Sequence, residues 1–304
     1  MNNFFARTVF IEGPDCSGKT TMIDRLHKST NYKWHLFDRS QVSRSIFSNL
    51  YSRKIASADI HEREELLDIN NLFVFLMPPW EIIRIRFLSR GDNLHDVHSL
   101  KIVYDEFRLK VEDIKNMPNV LIVTTPSDKP GVLDDIKSWI ESREKRTISD
   151  ISSDVFKCAK AQKNEEAIRL KFSIHDDGTF AESSASILDD KEESSYYKRI
   201  LLEIDEKIYD EFAGKNEYSK PQDVFSRRFI HTEDTCLSMI HALYREGTLE
   251  VDFIFRSTNV SSTFHSDIQF CNYISKTIYD RLGLSKKENY CISRFILNSA
   301  HTVW

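Results

Sequence analysis

The chain has 304 residues, 40% of them hydrophobic and 29% charged, with 42 Lys and Arg against 47 Asp and Glu for a formal net charge of -5. Those proportions exclude a collagen-like, disordered or disulfide-scaffold chain. The acidic balance excludes the global basic field that holds a polynucleotide by counterion release, so nucleic acid is not an expected partner. The longest apolar stretch, residues 72–80, falls far short of the ~18 residues that span a bilayer, and MNNFFARTVFIEG lacks a signal-peptide cleavage pattern. No membrane association is expected, and the expected location is the cytoplasm. Five scattered cysteines without a C-x-x-C pair support neither a disulfide framework nor a structural zinc site.

Hydrophobic periodicity predicts, in chain order, a strand at 8–11, a helix from Lys19, a strand at 34–37 and helices around 43–53 and 61–69. A strand at 72–76 follows, then a helix at 80–89 introduced by Pro78 and Pro79, a polar loop at 90–96, a helix near 99–115, a strand at 120–124 and a helix at 131–143. Strands alternating with helices imply a parallel sheet covered on both faces. Residues 148–164 lose this rhythm and read as a linker between a domain at 1–147 and another at 165–304. The second domain reads as α+β and antiparallel. It has a hairpin turning at Asp177-Gly178, a second at Glu246-Gly247, and helices at 195–212 and 264–282.

Residues 13–20 read Gly-Pro-Asp-Cys-Ser-Gly-Lys-Thr, which fits G-x-x-x-x-G-K-[ST] between an apolar strand and a helix. Glycines let backbone N–H groups wrap a β-phosphate, and the helix start adds positive potential. Lys19 bridges β- and γ-phosphates, and Thr20 offers a hydroxyl to magnesium. The nucleotide-binding set is Gly13, Asp15, Ser17, Gly18, Lys19, Thr20 and Thr21, with Thr20 and Asp15 as metal candidates. Asp15 holds magnesium, holds an acceptor sugar or stabilises the loop; Glu12 lies near the metal or accepts hydrogen bonds within the fold.

Such a loop serves a switch GTPase, a motor ATPase or a small-molecule kinase. Together FIEGPDCSGKTT, the segment Phe37-Asp38-Arg39-Ser40-x-x-Ser43 and FLMPPWEIIRIRFLSRGD resemble the thymidylate kinase-like nucleoside monophosphate kinases over residues 7–143. The resemblance implies a P-loop kinase fold, ATP and Mg2+, and a nucleoside monophosphate acceptor such as dTMP, dCMP or a 5-modified pyrimidine nucleotide. It implies that Asp38, Arg39 and Ser43 hold the acceptor, with Arg39 on its phosphate. It also implies a lid beginning at Arg90-Gly91-Asp92, whose arginine candidates are Arg86 and Arg90 or, in the plainer reading, charges on a solvated helix face. The interval from Lys19 to Asp38 is shorter than in cellular thymidylate kinases, and this compact form resembles kinase domains of viral genomes.

Ser226-Arg227-Arg228-Phe229-Ile230, Cys236 and LEVDFIFRSTNVSSTFHSDIQF resemble the thymidylate synthase and deoxycytidylate hydroxymethylase family over residues 226–301, and Cys236 stands twenty positions before Arg256 as in that family. The resemblance implies Cys236 as nucleophile on carbon 6 of a pyrimidine, with methylene-tetrahydrofolate as one-carbon donor. Arg256 and Ser257 match the phosphate-gripping pair, and Arg227 and Arg228 match the pair donated across a homodimer two-fold axis. Asp267 stands where the cytidylate enzymes carry an acceptor for the cytosine amino group; as a residue alone it also reads as a helix N-cap. Leu237 after the cysteine, Asn259 in place of an Asp, and His301-Thr302-Val303 without the phenol of His-x-Tyr depart from the pattern. No N-terminal glutamate motif is evident in 151–225, and the sequence ends at Trp304 before most of the folate segment. These departures count against folate use and leave Cys236 as nucleophile or as an inert thiol, and the second half as catalyst, nucleotide sensor or dimerisation module. A kinase acting on hydroxymethylpyrimidines within DNA is a further alternative.

Overall fold

The structure, a computed structural model, describes residues 8–51, 58–90, 96–144, 146–176, 194–208, 227–232, 236–245, 247–284 and 289–302. The chain divides into two compact units, Met1–Arg146 and Thr147–Trp304.

The first unit runs β1 (Thr8–Glu12), α1 (Lys19–Thr30), β2 (His35–Asp38), α2 (Gln41–Leu50), α3 (Ala58–Leu66), β3 (Leu72–Leu76), α4 (Trp80–Arg90), α5 (Val97–Ile114), β4 (Val120–Val123) and α6 (Val132–Ser142). Its four strands are all parallel, in the order β2-β1-β3-β4. Every residue of β3 is buried, as in a strand covered on both faces. Val9, Ile11, Leu72, Val74 and Leu76 point to one face, against Met22 and Leu26 of α1 and Ile136 and Ile140 of α6. On the other face Phe10 stacks on Phe73 at 5.2 Å, and Glu12 meets Ser43 of α2. After β1 the chain moves to one side and then returns to β3 on the other, so the carboxyl ends of β1 and β3 border a topological switch point. That is where open α/β sheets lodge ligands.

The second unit runs α7 (Ile148–Lys160), a 3-10 turn (Lys163–Glu165), β5 (Glu166–Asp176), α8 (Ser194–Ile208), β6 (Arg227–Thr232), β7 (Leu237–Arg245), β8 (Thr248–Phe255), β9 (Thr258–Asn259), α9 (Phe264–Arg281) and β10 (Tyr290–His301). Two expectations are corrected. The stretch read as a linker forms α7, opened by a capping box between Thr147 and Asp150 and burying Ile148, Ile151, Val155, Cys158 and Ala159. The polarity that suggested a linker is this helix's solvent side, around an apolar stripe at helical spacing. The sheet, ordered β5-β10-β8-β7-β6, is mixed rather than antiparallel, because β10 runs parallel to β8 and β9. The long connection through β9 and α9 permits this, since a parallel pair needs a crossover of a dozen or more residues. β5 pairs with β10 in antiparallel register. The expected turn at Asp177-Gly178 and its return strand lie outside the described residues, as does Glu246 at the β7–β8 hairpin.

Alternation along β8 buries Leu249, Val251, Phe253 and Phe255. Phe253 stacks on Phe295 of β10 at 5.2 Å, and Phe295 on Phe172 of β5 at 4.4 Å. Phe264 of α9 closes this core, edge-on to Phe172 at 5.9 Å. The opposite sheet face carries half-buried Met239, Ile254 and Ile296 beside Arg294, which donates to Asp252 at 2.5 Å and Glu250 at 2.7 Å. Among the described residues no helix is long and apolar enough to cross a membrane.

Candidate functional site

Where β1 ends, the loop to α1 turns back over the carboxyl edge of the sheet. Gly13 has φ 133°, and a Cβ there would overlap the carbonyl oxygen of Leu76 at the end of β3. Gly18 has φ 101°, and a Cβ there would overlap Ser127 Oγ in the β4–α6 loop. Both positions therefore need glycine for left-handed backbone and for close approach. The fold presses the loop against the end of β3 on one side and the β4–α6 loop on the other, at the switch point.

Beside it lies a cleft of about 540 Å³. Asp15, Gly18, Lys19, Thr20, Thr21, Asp38, Arg39 and Arg90, all singled out by motif, line it, together with Cys16, Arg86, Ser127 and Asp128. Lys19 is 6% exposed and donates to the carbonyl oxygens of Gly13 at 2.8 Å and Pro14 at 2.9 Å. Burial lowers its pKa by stripping water from the charged form, which the Asp15 carboxylate opposes and the Arg39 guanidinium reinforces. Asp15 accepts from Arg39 at 2.6 Å and lies 3.9 Å from Lys19, so it bridges two cations. Arg39 also sits 4.7 Å from the Phe47 ring centroid. Gly13 and Ser17 are buried behind the cleft wall, and Ser17 Oγ has no hydrogen-bond partner among the described residues.

Two motif residues, Ser43 and Arg86, have other places than the sequence suggested, and Glu12 takes the second of its two expected roles. Ser43 is 1% exposed and donates to Glu12, away from the cleft lining. Glu12 is fully buried and accepts from Ser40 N and Ser40 Oγ as well, which fixes it as an internal acceptor. Arg86, expected on a lid, donates from α4 to the carbonyl oxygens of Cys16 at 3.3 Å and Ser17 at 3.2 Å and to Asp128 at 2.6 Å. It braces the loop. Arg90 stands one turn further along α4 at the cleft, and Gly91 and Asp92 lie outside the described residues. Ser127 and Asp128 escaped sequence reading because their segment, TTPSDKPG, looks like any turn; only folding brings it against Gly18.

A magnesium ion could be held by the hydroxyl of Thr20, an exposed residue at the start of α1. Magnesium keeps most of its waters and needs few protein oxygens. Asp15, the other candidate, is paired with Arg39 in this structure, and no group of three or more His, Cys, Asp or Glu occurs among the described residues.

In the second unit, Cys236 is exposed just before β7, and its carbonyl accepts from Arg256 N at 2.7 Å. Ser257 follows, then Thr258 and Asn259 in β9, where Asn259 pairs with His301. Asn259 is 7% exposed, and its Oδ1 accepts from Ser261 N at 2.9 Å. Asp267 accepts from Tyr197 at 3.2 Å and Thr258 Oγ1 at 3.4 Å. It lies in the first turn of α9, whose N-cap is Thr263, so the N-cap reading of Asp267 does not hold. Cys236, Arg256, Ser257, Asn259, Asp267 and His301 thus gather at one end of the sheet. Arg227 and Arg228 pair with Tyr244 and Leu243 at the other end of β7, and their side chains lie outside the described residues. Cys271 and Cys291 are buried; burial pushes the Cys291 thiol up to about 12 and the Cys271 thiol well above its usual range.

No protein-family model matches this chain, and no curated protein sequence matches it.

Proposed function

We propose that the first unit is an ATP- and magnesium-dependent nucleoside monophosphate kinase of the P-loop, thymidylate kinase-like type, acting on a pyrimidine nucleotide such as dTMP, dCMP or a 5-modified deoxynucleotide. The observation that carries this reading is the convergence of Lys19, Arg39, Arg86 and Arg90, from three segments of chain, on one cleft beside a loop that only glycine can form. Phosphoryl transfer asks mainly for positioning and for neutralised charge on phosphoryl oxygens. Lys19 exchanges the carbonyls of Gly13 and Pro14 for β- and γ-phosphate oxygens. Its buried ammonium gains more from an anion than from neutral carbonyls. Arg39 exchanges Asp15 for the acceptor phosphate, and Arg90 faces the phosphoryl in transit. Thr20 holds magnesium, which when bound neutralises charge on the phosphate chain.

The test is phosphoryl transfer from γ-labelled ATP to a panel of ribo- and deoxynucleoside monophosphates, including 5-hydroxymethyl forms. Lys19→Ala is the blank. A Lys19-dependent diphosphate product supports the reading and names the base; every monophosphate untouched by a protein that binds ATP refutes it.

For the second unit we infer a synthase-like, pyrimidine-nucleotide-binding module that works as a homodimer. Its candidate nucleophile, phosphate-gripping pair and base-reading carboxylate share one sheet end, which supports binding of a nucleotide there. The seven residue-to-residue steps from Leu237 to Tyr244 put roughly 23 Å between that end and the backbone of Arg227. Within one protomer Arg227 cannot join Arg256 on a phosphate, which favours donation to a partner. Asp267 already accepts from Tyr197 and Thr258, which favours a sensor over a base-selective catalyst. Tritium release from carbon 5 of dCMP or dUMP, lost in Cys236→Ser, supports catalysis; none in the parent supports the sensor.

A further inference from the structure

We propose that Glu12 is a positioning residue for Arg39: it clamps the start of α2 to the end of β1 through hydrogen bonds that need the placement of its oxygens rather than its charge. The inference rests on the reading of Arg39 as the arginine of the acceptor phosphate.

Arg39 is held in an unusual backbone state. Its φ is 80°, in the left-handed region that a long side chain rarely occupies. Such a conformation persists only where the surroundings over-determine it, and it gathers at functional positions. One determinant is its own N–H, which donates to the carbonyl of Ile11 at 3.2 Å. The others belong to the next residues. Ser40, the N-cap of α2, gives both its N–H and its hydroxyl to Glu12 Oε1, each at 2.5 Å, while its Oγ accepts from Val42 N at 3.0 Å. Ser43, one turn on, donates to Glu12 Oε2. Gln41 N donates to Glu65 at 2.8 Å.

Two consequences follow. The amides of Ser40, Gln41 and Val42 all have protein acceptors, so this helix start is not free to cradle a phosphate. The acceptor's charge falls to the Arg39 guanidinium, whose reach over Asp15 and Phe47 depends on a backbone that Glu12 pins one residue away. Glu12 itself is 0% exposed, and both oxygens face α2. A metal ligand or a general base at this position must act through its charge; a clamp acts through geometry.

Gln and Asp variants separate these roles. In Glu12→Gln the amide oxygen takes Ser40 N–H and hydroxyl while the NH₂ donates to Ser43 Oγ, so both contacts to α2 persist without charge and only the Ser43 hydroxyl hydrogen has to turn to another acceptor. In Glu12→Asp the charge stays, but the side chain is one methylene short of Ser40 and Ser43. Acceptor and ATP kinetics are measured for both, together with amide hydrogen exchange over residues 39–43. The expected result is acceptor KM and kcat within about threefold of the parent for E12Q. E12D is expected to raise acceptor KM more than about tenfold with ATP KM nearly unchanged, and to exchange faster at Ser40 and Gln41. The opposite order, with E12D active and protected and E12Q impaired, overturns the clamp in favour of a charge-dependent role. Unchanged exchange in E12D overturns it too. A parent inert on every monophosphate refutes the kinase reading instead, and the exchange comparison still decides the clamp.

Discussion

Replacing Gly18 by alanine measures how tightly the β4–α6 loop presses on the glycine-rich loop between β1 and α1. At φ 101° an L side chain is strained by roughly 1–2 kcal/mol. The new Cβ also overlaps Ser127 Oγ and lies 3.1 Å from Ser127 Cβ. Ser127 has little room to yield, being 3% exposed with its carbonyl held by Arg25. Overpacking of this kind costs about 1–3 kcal/mol, so Gly18→Ala is expected to lose roughly 2–5 kcal/mol, or about 4–20 °C in the unfolding midpoint of a unit this size. Ser127→Ala removes the overlapping oxygen and leaves the backbone strain. The double variant should therefore regain at least about 1 kcal/mol over additivity. Gly131→Ala is the control: its φ is 85° with nothing within 4 Å of a new Cβ, so only the strain applies. Thermal unfolding followed by tryptophan fluorescence reads this unit through Trp34, Trp80 and Trp139, three of the chain's four tryptophans. Additivity of Gly18→Ala and Ser127→Ala within about 0.5 kcal/mol, or a Gly18→Ala loss no larger than that of Gly131→Ala, would refute the close contact.

Glu65→Gln is expected to raise the melting temperature at neutral pH. Burial raises the Glu65 carboxyl pKa, with Glu12 and Glu62 adding to it and the Gln41 amide opposing it. A carboxyl raised on folding contributes stability in full below its unfolded pKa and loses it as pH rises through the folded value. The glutamine keeps an acceptor for Gln41, so the melting profile between about pH 4.5 and neutrality should flatten; an unchanged profile counts against the raised pKa of this half-buried carboxyl. Arg86→Met should weaken ATP binding more than about tenfold by releasing the loop carbonyls of Cys16 and Ser17. Asp128→Asn should change it less than about threefold, since Asp128 is 69% exposed and such pairs contribute little. Calorimetric titration reads both, and equal losses would mean that the ion pair rather than the loop brace matters. Alkylation of the native protein followed by mass spectrometry should modify Cys236 well before Cys158, Cys271 or Cys291, following exposure; rapid labelling of Cys291 would contradict its burial.

Local rules carried the first unit far. The run of five apolar residues at 72–76 is β3 to the residue, and Gly131 and Arg143 flank α6 as its caps. The glycine-rich motif announced its own loop, because left-handed backbone, close approach and a helix start leave signatures in residue type and spacing. Local polarity misled at α7, where Ser, Asp and Lys of an outward face hid the stripe Ile148, Ile151, Val155, Cys158. Strand direction also escaped: nothing in residues 290–301 says whether they run with or against β8, since alternation is the same either way.

Residue type and spacing were enough for the alternating elements of the first unit, the glycines that its first loop requires, and the lysine and threonine that open α1. Which polar residues face the cleft was set by folding. It turned Ser43 inward onto Glu12, gave Arg86 to the loop carbonyls, and brought Ser127 and Asp128 to the wall. The physical reason is range. Backbone conformation and periodicity are fixed by neighbours in the chain, whereas a hydrogen-bond partner such as Ser127 for Arg25, 102 residues away, exists only once the sheet has set its strand order.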